Sequence, residues 1–131
     1  MATSQGILVE IVMKAAADLS TKQYYFVKLT AARTVNVCAA ATDIPIGVLQ
    51  NKPAAANRGA VVRVAGSTKL VADAAITYGW LLGTSADGQA DRKIPGTDTT
   101  EYFVGQALED AGAAGDIFEA VVDCASPSKA T

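Results

Sequence analysis

The chain has 131 residues, half of them hydrophobic but only 6% aromatic, with 11 Lys and Arg against 13 Asp and Glu, a formal net charge of -2 and no histidine. That length suits one domain around one hydrophobic core, and the scattered basic residues exclude the basic, aromatic-interleaved surface of a nucleic-acid binder. Without His there is no Ser-His-Asp or Cys-His pair and no imidazole base, so the chain is expected not to be an enzyme and to use no cofactor or small-molecule substrate.

The first six residues carry no basic region, and the apolar run 7–13 is short and broken by Glu10, unlike a secretory signal. No stretch approaches the roughly 18 apolar residues of a membrane span, so the chain is expected to be made in, and remain in, a cytoplasm. Residues 1–14 read as an extended arm whose apolar part is strand-forming. Further short apolar or β-branched runs, each bounded by Gly, Pro, Asn, Asp or Thr, predict strands at 25–29, 35–38, 46–50, 61–64, 80–82, 103–108 and 117–122. The Ala-rich stretches at 15–17, 39–41 and 54–56 lie beside turn residues and are too short to hold a helix.

Alternation across Tyr24-Tyr25-Phe26 puts Tyr25 on one face and the other two on the opposite face. Cys38 and Cys124 are expected as free buried thiols, and with no His and no closely spaced cysteines no zinc site is predicted. Gly83 and Gly88 have the spacing of a phosphate loop, but Gln89-Ala90 stands where Lys and Ser or Thr belong, and Asp87-Gly88 predicts a hairpin turn instead. Trp80, flanked by Leu81 and Leu82, is expected in the core. The carboxylates fall mainly at turns and strand ends, where they cap backbone amides.

An internal echo organises the whole pattern. Asp18 before the strand at 25–29 matches Asp73 before Trp80-Leu81-Leu82, Ile46-Gly47-Val48-Leu49 matches Val104-Gly105-Gln106-Ala107, and Gly59 and Gly115 each launch an alternating strand. These offsets cluster near one value, predicting a duplicated unit at about 15–71 and 72–124, followed by a tail at 125–131. Each unit alone is too little sheet to close a core, so two copies together predict a mainly β fold, either a compact sandwich or a partly closed barrel. Gly47 and Gly105, inside strands, mark a bulge or a close backbone approach. Arg63 and Glu119 are placed at matching points of the two launched strands.

The segments Ile44-Pro45-Ile46-Gly47-Val48-Leu49, Gly59 to Gly66, Asp87-Gly88-Gln89-Ala90 and Val104 to Asp116 resemble the capsid decoration, or cement, proteins of tailed bacteriophages. The resemblance runs over roughly residues 15–123. It implies a structural virion protein on the outer capsid surface, a homotrimer partnering the major capsid protein and stabilising the head against internal DNA pressure. It brings no catalytic residue, metal or membrane. Within that reading the arm residues Gly6, Ile7, Leu8, Val9, Glu10, Ile11 and Val12 are the expected capsid contact, since an apolar strand adds readily to a sheet edge; the other reading of this strand is that it pairs within its own domain or with a sister subunit. The alternative is a carbohydrate- or cell-surface-binding β module, for which Trp80 and Tyr78 are the candidate platforms.

Overall fold

The computed structural model describes residues 8–131, and its regular structure consists of strands. Eleven are present: β1 Val9–Ala15, β2 Phe26–Ala31, β3 Thr34–Val37, β4 Gly47–Leu49, β5 Gly59–Val71, β6 Leu81–Thr84, β7 Ala90–Arg92, β8 Tyr102–Phe103, β9 Gly105–Ala107, β10 Ile117–Asp123 and β11 Ser128–Lys129. Nine form one sheet in the order β1-β3-β2-β4-β5-β10-β9-β6-β7, while β8 and β11 pair separately.

An added antiparallel pairing of β1 with β5 closes β1-β3-β2-β4-β5 into a five-stranded barrel. The second half of the sheet repeats the arrangement. The C-terminal half of β5 pairs with β10, then β9, β6 and β7 follow, and a single parallel bridge from Ala72 to Ala90 closes that ring. The choice between sandwich and barrel is therefore resolved in favour of barrels. The 13-residue β5 serves both rings, its first half in one and its second half in the other. The segment expected as an arm is, from Val9 on, a strand of the first ring, paired from Val9↔Ala65 through Lys14↔Gly59. Gly6 and Ile7 lie outside the described residues.

Alternation explains how so small an apolar content fills two interiors. In β10, Phe118, Ala120 and Val122 point inward and their neighbours outward. In β5 the inward positions Ala60, Val62, Val64, Thr68 and Leu70 feed first one ring and then the other. Met13, Ala15, Leu19, Val27, Val35, Leu49, Ala60 and Val62 form the first interior. Phe26, Leu70, Leu82, Phe118 and their neighbours form a larger one. Phe26 and Phe118 are fully buried, each worth about 2–3 kcal/mol in apolar burial. Most of the remaining core is Ala and Val, with Met13, Leu19, Leu49, Ile76 and the two cysteines.

Many hydrogen bonds of the first ring have a counterpart in the second. Ile46 N to Val27 O corresponds to Val104 N to Leu82 O, Leu49 N to Tyr25 O to Ala107 N to Trp80 O, and Gln50 N to Val61 O to Leu108 N to Glu119 O. Left-handed backbone recurs as well: Tyr24 (φ 69°) matches Gly79 (84°), Arg33 (52°) matches Gly88 (80°), and Asn57 (70°) matches Gly115 (88°). This pairing shifts several of the sequence matches. Asp73 corresponds to Ala16, because Asp73 N bonds Ala90 O where Ala16 N bonds Val35 O. Gly115 corresponds to Asn57 and not to Gly59, which has no positive φ and room for a Cβ, its nearest neighbour being Val12 Cγ1 at 3.5 Å. Arg63 corresponds to Val121, each facing the middle residue of its neighbouring strand, Val48 or Gln106. Gly47 and Gly105 do correspond, and each presses on its neighbour's backbone.

Asp43 closes the loop after β3. Its carboxylate accepts from Ala39 N (2.9 Å) and Ala40 N (3.0 Å) and pairs with Lys28 at 2.9 Å. Burial by itself raises its pKa, but the Lys28 bond and the two amides outweigh that and hold it below the usual carboxylate value. A depressed carboxyl contributes stability present above the unfolded pKa and lost as pH falls through the folded one. Asp43→Asn is therefore expected to cost about 1.5 kcal/mol at pH 7, with the gap to wild type narrowing below pH 4. Urea unfolding at pH 7 and pH 3 checks this; a gap unchanged between them would show that the charge is not what stabilises the loop.

Candidate functional site

The described part of the expected contact, Leu8 to Val12, has two different sides. Inward, Ile11 packs against both cores, while Glu10, itself exposed, forms an ion pair with Arg63 of β5 on the outer face. Outward, Leu8, Val9 and Val12 are 50%, 40% and 60% exposed. β1 meets β3 only at Lys14↔Thr34 and Ala15↔Val35, so along Val9–Val12 the edge away from β5 carries no described strand. Arg33, in its left-handed turn, reaches that edge and donates Nη2 to the Val12 carbonyl at 3.0 Å. The edge, its apolar fringe and the cleft formed by Val12, Met13, Lys14, Ala32, Arg33 and Gly59 make one continuous surface suited to an incoming extended chain.

The aromatic candidates are arranged differently from expectation. Trp80 is only half-buried, packed against the larger core on one side, and the Arg92 guanidinium lies 4.1 Å from the centre of its ring. A ring so covered is no open platform for a sugar. Tyr78 is 68% exposed and stands apart. At Tyr24-Tyr25-Phe26 the expected alternation fails because Tyr24 is left-handed, which turns the chain between the two tyrosines. Phe26 enters the core alone, while Tyr24 and Tyr25 both remain at the surface.

Cys38 and Cys124 are free and buried in the larger core, and burial pushes both thiols up to about 12, so neither supplies a thiolate near neutral pH. Among the described residues no three of His, Cys, Asp and Glu converge as a metal site. No described helix is long and apolar enough to cross a membrane. The Gly83–Gly88 segment is the β6–β7 hairpin, with Ser85 N bonded to Gln89 O at 2.8 Å.

Sequence reasoning overlooked a buried ionic group. Lys93, with its side chain wholly inaccessible, is paired with Glu101 and lies 3.7 Å from Asp91. It occupies the place that Cys38 holds in the first ring, since Lys93 N bonds Leu81 O where Cys38 N bonds Phe26 O. Only the duplication reveals that this lysine points inward.

The chain is similar to the N base of head fiber gp8.5 of bacteriophage phi29, with a TM-score of 0.63 and 22% identity over 94% of this chain and 98% of that one. It shares the fold of a phage head-fiber base. The shared length takes in both rings and the closing strands, so the likeness belongs to the entire architecture and not to one barrel. No protein-family model and no curated protein sequence matches the chain.

Proposed function

We propose that this chain is a structural virion protein, seated on the outer surface of a bacteriophage capsid, which braces the head against internal DNA pressure. The observation carrying this reading is the fold shared, over nearly the full length of both chains, with the base of a phage head fiber. The chemistry of the surface agrees with it. Near the N-terminus, Leu8, Val9 and Val12 form an exposed apolar fringe along a strand edge. On this reading the partner is the major capsid protein, contacted through residues 6–12, and the protein acts as a homotrimer. An array of many copies then holds firmly through individually modest contacts. The protein works without catalysis, a cofactor or a small-molecule substrate.

Heads lacking the protein, mixed with it and sedimented, provide the test. Saturable binding together with raised resistance of DNA-filled heads to heat or osmotic shock is expected. Binding without added resistance would reduce the role to attachment, and no binding would remove the capsid reading altogether.

The pairing of β1 separates contact from stability. Deleting residues 2–7 touches none of the described strand pairings and is expected to weaken head binding while shifting Tm by less than about 2 °C. Deleting residues 2–12 also removes Val9, Glu10, Ile11 and Val12 from their pairings with β5, opening the first barrel and lowering Tm by more than about 10 °C. Calorimetry on the two truncations checks the contrast. Equal losses of Tm would show that β1 does not close the ring.

A further inference from the structure

The two rings provide an internal control, because the same backbone is built twice with different side chains. Leu19 and Ile76 are equivalent, each buried and each bonded through its amide to the loop before the launched strand: Leu19 N to Pro53 O at 2.8 Å and Ile76 N to Ala111 O at 2.9 Å. Tyr24 and Gly79 are equivalent too, both left-handed and bonded to Leu49 O and Ala107 O. Five positions separate the first pair of landmarks and three the second, so the first loop holds two residues beyond what the fold requires. In place of Thr77 and Tyr78 it carries Ser20, Thr21, Lys22 and Gln23. It ends on a tyrosine where the duplicate has glycine, although a left-handed conformation costs a side-chain-bearing residue roughly 1 kcal/mol.

Ser20, Thr21, Gln23 and Tyr24 line a cleft of about 340 Å³ where the rings meet, facing Lys52, Val71 and Gln89. Tyr24 N is bonded to the first ring, and Tyr24 O accepts from Val71 N at the C-terminal end of β5, in the second ring. Ligands favour such junctions. Gln23 and Gln89 are each oriented by one bond, to Gln50 O at 3.0 Å and Tyr25 Oη at 3.3 Å, which leaves each amide oxygen and a second hydrogen for a ligand. Lys22 already covers Tyr25, 4.9 Å from its ring centre. Tyr24 divides this cleft from a second one, and Lys69, 5.9 Å from its ring, belongs to the second. No carboxylate lines the first cleft.

We propose that this seam binds a saccharide. Tyr24 offers the apolar face on which a sugar ring stacks, and Ser20, Thr21, Gln23 and Gln89 supply hydroxyl and amide groups for its hydroxyls. Lys52 adds one ammonium, so neutral and acidic sugars are accepted and cationic ones are not. This site is separate from the β1 edge, and its occupancy is independent of capsid attachment.

The test uses the full chain free in solution, with amide NMR shifts followed during titration with chitotriose, maltotriose and a hexuronic-acid disaccharide. At least one probe is expected to give saturable shifts, with Kd below about 10 mM, centred on residues 20–25, Lys52 and Gln89. Tyr24→Gly copies the duplicate's own residue, so it is expected to leave the unfolding midpoint unchanged or higher and to weaken binding at least tenfold. No saturable shift with any probe overturns the proposal, as do shifts centred on Tyr78 and Trp80 or undiminished binding by the glycine variant.

Discussion

Gly105→Val is expected to be strongly damaging to the second ring, lowering stability by more than about 3 kcal/mol. A Cβ at Gly105 would stand 2.5 Å from the Val121 carbonyl oxygen and 2.9 Å from Val122 Cγ1. The first of these is main chain in β10, which is held by β9 on one side and β5 on the other, so the obstruction cannot be relieved by a rotamer change. Valine's further methyls add to the crowding, and β10 must move or β9 must detach. Gly47→Val is expected to act alike in the first ring, where a Cβ would meet Val62 Cγ1 and lie 2.7 Å from Arg63 O. Gly59→Ala provides the contrast, because that position has ordinary space and no positive φ; it is expected to change stability by under about 1 kcal/mol. Denaturant midpoints for the three variants check this. Equal midpoints for Gly59→Ala and Gly105→Val would show that close approach of the strands is not what selects glycine.

Glu101→Gln is expected to cost about 3 kcal/mol at pH 7. The Lys93 ammonium is fully buried and Glu101 is its nearest counter-charge, with Asp91 at 3.7 Å. Removing one member of a buried pair leaves the other's desolvation uncompensated, worth about 3–5 kcal/mol, and the 22% exposure of Glu101 sets the expectation at the low end. Lys93→Met combined with Glu101→Gln removes both charges of the pair, leaving only the half-exposed Asp91, and is expected to recover most of the loss, as the first ring manages with neutral Cys38 at that place. Asp91 responds in the opposite sense to Asp43. Burial foremost raises its pKa, against the pull of Lys93, so its protonation favours the fold, a contribution present below the unfolded pKa and lost as pH rises through the folded one. Urea unfolding of the single and double variants decides the matter: a double variant no better than Glu101→Gln would mean that packing, and not an orphaned charge, carries the penalty.

Much of the strand content was legible because alternation and turn residues act locally. The stretches 35–38, 46–50 and 117–122 lie on β3, β4 and β10 or within a residue of them, and Asp87-Gly88 turns the β6–β7 hairpin as its composition demands. The second half of β5 was missed: Ala65-Gly66-Ser67-Thr68-Lys69 is small and polar, and it is extended because β10 pairs along it, with Gly66 (φ 115°) facing Val122. β7, β8 and β11, of two or three residues each, are too short for any period to show. The echo was visible, yet its register slipped by two at Asp73 and Gly115, since loops of unequal length separate the landmarks and only hydrogen bonds align them. Tyr24 illustrates the same limit, as no local signal says that a tyrosine takes a left-handed turn.

By itself, then, the sequence determined composition-level facts and local geometry: no imidazole chemistry, short alternating strands, glycines where two strands meet too closely for a side chain, and a unit written twice. Tertiary structure decided what depends on residues far apart. It decided between the two open readings of the N-terminal segment, making β1 a ring strand by pairing it with β5 some fifty positions away. It divided one long strand between two barrels, turned Lys93 inward onto Glu101, and covered Trp80 with Arg92. Periodicity reports which face of a strand is apolar, whereas only the closing of each ring determines what that face meets.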